Sequence, residues 1–142
     1  MQQSSLINVT GNNFRRHTPR LGTGVRFEHS SDCLLSGCQI LDEAEAGQAS
    51  GASLLELQSC ERITVAGCQF IDGVPTGIDL ADCSHVSISG CTIADRRDPP
   101  LSQHAVRFRG TGAGNRLDAN LITETTDDAV SIGDGVEVAY AP

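Results

Sequence analysis

Ile78–Asp95, IDLADCSHVSISGCTIAD, decides the fold. It holds two alternating apolar runs, Ile78-Asp79-Leu80 and Val86-Ser87-Ile88, then Gly90-Cys91 and Ile93. Leu55–Asp72, LELQSCERITVAGCQFID, is the same phrase one unit earlier, matched without a gap. Leu55/Leu57 answer to Ile78/Leu80, Cys60 to Cys83, Ile63/Val65 to Val86/Ile88, and Gly67-Cys68 to Gly90-Cys91. A phrase repeated in register marks a repeat architecture, and apolar residues at every second position mark strands.

Three weaker copies flank these two. Leu6–Phe14 keeps Ile7, Val9, Gly11-Asn12 and Phe14. Val25-Arg26-Phe27 opens a copy that closes with Cys33, Leu35, Gly37-Cys38 and Ile40. Val106-Arg107-Phe108 opens another, which carries a glycine-rich insertion, Gly110–Gly114, before Leu117, Asn120 and Ile122. Val130-Ser131-Ile132 starts a last unit, whose tail, Val136–Pro142, fits the phrase poorly. Length changes fall in polar stretches: Arg15–Thr23, Asp42–Ala52 and Arg96–Gln103. The expected fold is all-β, a solenoid of about five rungs with inward side chains stacked in columns. An antiparallel sandwich would explain short strands but not the repeated phrase. A leucine-rich repeat lacks its leucines and its helix here.

The 142 residues suffice for one domain spanning 1–142. The formal charge of −8 argues against nucleic acid, which needs clustered Lys and Arg. No apolar run is long enough to span a membrane, and the N-terminus shows no basic and apolar leader. The six cysteines sit at repeat-equivalent slots, and Cys33 stands where Ile63 and Val86 do. They read as buried free thiols acting as small hydrophobes, not as a disulfide framework. Asn12, Cys38, Cys68, Cys91 and Asn120 form one column, in which Asn is expected to bond the neighbouring rung's backbone.

The pattern G-I-x-L … V-x-I-x-G-[CN]-x-I resembles the right-handed parallel β-helix repeat of pectate-lyase-like and related carbohydrate-active proteins. It covers Leu6 to Ile132. The resemblance implies a polysaccharide or oligosaccharide partner and an extracellular or cell-surface location. Asp127-Asp128-Ala129-Val130-Ser131-Ile132 is similar to an Asp-Asp motif of polygalacturonases. Its companion is absent, however: Pro75-Thr76-Gly77-Ile78-Asp79 has Thr76 where that family has an Asp, and lies two rungs back. The repeat specifies stacking far better than chemistry.

Alternation directs Arg26, Glu56, Asp79, Arg107 and Ser131 outward in one column, beside Glu28, Gln58, Ala81, Arg109 and Gly133. Thr23, Ser53, Thr76, His104 and Asp128 precede the same strands and complete an expected polar strip. Glu56 and Asp79 on adjacent rungs, with Arg107 one rung further, are the candidate catalytic set, since paired carboxylates serve acid–base work. Arg26, His104, Arg109 and Asp128 are the candidate substrate-binding residues, with His104 beside Asp128 as an acid–base pair. A charged sheet face also serves solubility alone. No metal centre is expected; Glu56, Asp79 and Asp128 are of a kind that Ca²⁺ accepts, but no Asp-rich loop gathers them. The leading expectation is a glycan-binding module. A lyase, epimerase or glycosidase fragment and a spike-like assembly segment are the alternatives. The end rungs call for a homo-oligomer or for continuing rungs of a longer β-helix.

Overall fold

The computed structural model describes residues 1–16, 24–42 and 53–141. Short strands follow one another in threes. The first rung is β1 (Asn8–Thr10), β2 (Asn13–Arg16) and β3 (Val25–Glu28); the second is β4 (Ser31–Ser36), β5 (Gln39–Asp42) and β6 (Leu55–Gln58). The third is β7 (Glu61–Ala66), β8 (Gln69–Ile71) and β9 (Thr76–Ala81); the fourth is β10 (Ser87–Ser89), β11 (Thr92–Ala94) and β12 (His104–Arg109). The fifth is β13 (Gly112–Asp118), β14 (Leu121–Ile122) and β15 (Val130–Ile132), and β16 (Val136–Ala141) begins another level.

Every strand pairs in parallel with its counterpart one rung away, giving three stacked sheets: β1-β4-β7-β10-β13-β16, β2-β5-β8-β11-β14 and β3-β6-β9-β12-β15. The expected solenoid is the observed one. Val25, Leu55, Ile78, Val106 and Val130 share one column in the third sheet. The tail differs from its expectation: β16 pairs with β13, placing Val138 beside Asn115 and Tyr140 beside Leu117. Backbone pairing, which any sequence can make, extends the sheet where the side-chain phrase fades.

The core runs up the axis. Phe27, Leu35, Leu57, Val65, Ile78, Ile88, Val106 and Leu117 are at most 1 % exposed. Each such side chain contributes about 1.5–3 kcal/mol through burial. All six cysteines are free and buried. They also reach across rungs: the Sγ of Cys38, Cys68 and Cys91 lies 3.6, 3.6 and 3.8 Å from the main-chain oxygens of Val9, Leu35 and Val65. In the second ladder Cys60 and Cys83 sit 3.3 and 3.4 Å from the oxygens of Phe27 and Leu57. Asn120 makes the same reach, its Nδ2 donating to Ile88 O at 3.0 Å, while its Oδ1 accepts from Cys91 N at 2.9 Å. Hydrogen bonds to the neighbouring rung's cysteine, together with burial, push the Cys68 and Cys83 thiols above the ordinary range.

The turn before each Asn/Cys slot requires a left-handed backbone. Gly11, Gly37, Gly67 and Gly90 meet it with φ of 59–64°. Ala119 holds the fifth such place at φ 55°, where an L side chain is disfavoured.

Candidate functional site

The outward face of the third sheet places the predicted residues as alternation requires. Arg26 pairs with Glu56, Glu56 with Asp79, Asp79 with Arg107, and Arg107 with Ser131. Neighbouring members are one strand spacing apart, about 4.8 Å.

At the upper end of this column Asp79 is shared by two arginines of β12. Arg107 Nε donates to its Oδ1 at 2.9 Å. Arg109 Nη2 donates to its Oδ2 at 3.0 Å, with Nε 3.2 Å from both oxygens. The two guanidiniums cover the carboxylate, so its side chain is only 5 % exposed while those of Arg107 and Arg109 are 33 % and 55 % exposed. Outward direction alone suggests a solvated Asp79; the structure seals it under its partners. Burial works against ionisation of Asp79, but the hydrogen bonds and charges of Arg107 and Arg109 outweigh it and hold its pKa below the ordinary aspartate value. The hydrogen bond to Asp79 in turn raises Arg109.

The lower end is a second, separate network. Arg26 pairs with Glu28, lies 3.8 Å from Glu56 and donates to Gln58 at 2.8 Å. Glu56 is thus drawn toward Arg26, and Asp79 toward the arginines above.

Two expectations at the strip's margin are corrected. Thr76 and Ser53 are buried, at 0 % and 2 % exposure, so they do not belong to an exposed strip. Thr76 shares the parity of Ile78 and Leu80, and its Oγ1 has no hydrogen-bond partner. His104 does stand beside Asp128, but its Nδ1 meets the main-chain oxygen at 2.6 Å, not the carboxylate. Thr23 lies outside the described residues. Among the described residues no three His, Cys, Asp or Glu side chains converge on a point that could hold a metal ion.

Sequence reasoning missed a column of acids where the second sheet hands over to the third. Asp42, Asp72 and Asp95 end successive repeats, and the side chains of Asp72 and Asp95 are 9 % and 1 % exposed. Asp95 organises the excursion that follows it. Its Oδ2 accepts from Leu101 N and Ser102 N at 2.7 and 2.8 Å, and its Oδ1 accepts from Arg97 N and Nε at 3.1 and 2.6 Å. Burial of Asp95 is outweighed by these donors, which lower its pKa to about 2. Asp72 is clamped by Arg96, whose main-chain N and Nη2 both lie 2.7 Å away. The signal was present as the recurring final Asp of the phrase, but the work it does appears only with the loop folded over it. Asn115 was missed too. It fills the slot of Ile63 and Val86, donates to Cys83 O at 3.1 Å and accepts from Val86 N at 3.0 Å.

Stacked parallel rungs and the sequence phrase point to one family. The description that matches, "Right handed beta helix region", covers residues 1–140. The chain belongs to the right-handed β-helix family. Neither a comparison with curated proteins nor one with solved structures returns a match. The β-helix therefore supplies architecture, and its chemistry must be argued from the faces of the stack.

Proposed function

We propose that this β-helix is a polysaccharide-interacting module that holds a glycan chain along the outward face of the third sheet. The observation that carries the reading is the pair Arg107 and Arg109, fixed on one strand by the buried Asp79. Holding both guanidiniums by one carboxylate leaves two positive charges against one negative. It also removes much of the side-chain freedom that binding would otherwise have to freeze. Arg107 contacts Asp79 through Nε, and its Nη groups extend beyond that contact as donors suited to sugar hydroxyl or carboxylate oxygens. Below them Glu56, Gln58 and Arg26 continue the polar column at rung intervals, which suits an extended chain lying along the axis. Arg26 and Glu56 also stabilise one another, so the upper arginines are the anchor. His104 and Asp128 flank the same face at its upper end.

The same face is the place where a lyase, epimerase or glycosidase fragment would work. The observation that favours binding over these is the state of Asp79: both its oxygens accept from arginine, so it is held as an anion and is poorly placed to relay a proton. An extracellular or cell-surface setting accords with a glycan partner.

The test is a glycan array followed by calorimetry on the wild type and on Arg107→Gln and Arg109→Gln. We expect at least one glycan class to bind, with affinity reduced about tenfold by either substitution, in line with the loss of one charge-assisted hydrogen bond. Absence of binding across neutral and acidic glycans would sink the reading, as would affinities indifferent to both arginines.

A further inference from the structure

The loop between β11 and β12 borders an open cavity of about 350 Å³ beside the end of β14, lined by Asp95, Arg97, Asp98, Pro100, Thr123 and Glu124. That volume falls within the range of small-ligand sites, about 300–1,000 Å³. Its two sides are tied together through Asp95. The carboxylate accepts from Leu101 N and Ser102 N and from N and Nε of Arg97. Its main-chain N donates to Thr123 Oγ1 at 2.9 Å, on the neighbouring rung. The polar groups around the space are unmatched, however. Arg97 gives its Nε to Asp95, but its Nη2 is buried and has no partner, an unfavourable state for a guanidinium nitrogen. Among the described residues the exposed carboxylates of Asp98 and Glu124 have neither a hydrogen bond nor an ion pair. Donors and acceptors thus line one space without meeting.

We infer that this cavity is a second binding site, separate from the arginine strip, and that it takes one neutral, hydroxyl-rich ring, a single sugar residue. A hydroxyl both donates and accepts, so one ring can give hydrogens to Asp98 and Glu124 while its oxygens accept from Arg97. Thr123 uses an acceptor position on Asp95 N and keeps its O–H for the ligand. Pro100 supplies an apolar wall for the C–H face of the ring. Charge narrows the class. Asp95 takes up the charge of Arg97, which leaves two carboxylates facing the space, so an anionic ligand is repelled. A bare divalent cation is poorly served, since among the described residues no three His, Cys, Asp or Glu side chains converge. The cavity shares no lining residue with Arg107 or Arg109, and the loop that forms it leads directly into the strand that carries them.

The experiment is an NMR titration of the ¹⁵N-labelled 142-residue chain with the methyl glycosides of glucose, galactose and mannose, and with alanine as a zwitterion of similar reach. At least one glycoside is expected to give saturable shifts at the amides of Arg97, Asp98, Thr123 and Glu124, with a Kd of about 1–10 mM, as suits so small a ligand. Asp98→Asn/Glu124→Gln changes two exposed side chains and should weaken binding about tenfold while the rest of the spectrum stays in place. Arg116→Gln, on the outward face of the first sheet, should leave it unchanged. Shifts confined to the amides of Arg107 and Arg109 overturn the cavity site and leave the strip reading standing. Absence of shifts up to about 100 mM, preference for alanine over every glycoside, or binding unaltered in the double variant overturns the inference as well.

Discussion

Replacing Asp79 by Asn tests the central claim about the outward face, because it keeps the shape of the side chain and removes its charge. In the native protein the carboxylate accepts from Arg107 Nε and from Arg109 Nε and Nη2. Asn retains one acceptor oxygen and turns an NH₂ group toward cationic donors. A hydrogen bond to a charged group contributes about 1.5–3 kcal/mol, and breaking a fully buried ion pair costs about 3–5 kcal/mol. Here the carboxylate is sealed but the arginine side chains are 33 % and 55 % exposed. Solvent therefore screens part of the interaction, and the discounted loss is about 2 kcal/mol. Urea denaturation of Asp79→Asn, Arg109→Gln and the double variant forms a cycle whose coupling should be about 1 kcal/mol. Glycan affinity should fall with it, since Arg107 and Arg109 lose the group that orients them. A loss under about 0.5 kcal/mol, with no coupling to Arg109 and unchanged binding, would refute the claim that Asp79 pre-organises the pair.

Two further substitutions probe the turn column and the acid column. Ala119→Gly should stabilise the protein by about 0.5–1 kcal/mol, because relief of the left-handed strain, about 1–2 kcal/mol, exceeds the added freedom of Gly in the unfolded chain. Gly67→Ala should do the reverse, since a Cβ there meets nothing within 4 Å and the change is conformational alone; chemical denaturation reads both. Asp95 has a folded pKa of about 2, below its ordinary value of 3.8. Its contribution is therefore present in full above pH ~4 and lost as pH falls through ~2, amounting to about 2 kcal/mol. Asp95→Asn should flatten stability across that window, and an unchanged acid limb would remove the assigned role.

The fold was legible because the inward columns are written at period 2 and repeated without gaps in the two cleanest units. Leu55 over Ile78 and Ile63 over Val86 could be paired on paper, and the thiols followed from sharing those slots. Legibility failed where a residue's environment is made by something distant in the chain. Asp79 reads as exposed because period 2 gives direction, while its cover comes from arginines on the next strand. Thr76 has the parity of the core, and its place just before the strand hid that. Asn115 was obscured by the insertion Gly110–Gly114, which breaks the count. There a Cβ on Gly112 would lie 1.9 Å from Cys83 O, showing how closely the insertion lies on the corner below.

The pairing pattern has a bearing on how the chain comes to be folded. Among the described residues each strand finds its partners one repeat away, as with Val65 between Leu35 and Ile88. Closure of the first two adjacent loops carries the entropic penalty, and each later rung then needs only one more loop of similar length. Ordering can start at any well-matched neighbouring pair and spread toward both ends. The two gapless repeats at the middle of the chain are suited to be that seed, so ordering is expected to begin in the most regular part of the sequence.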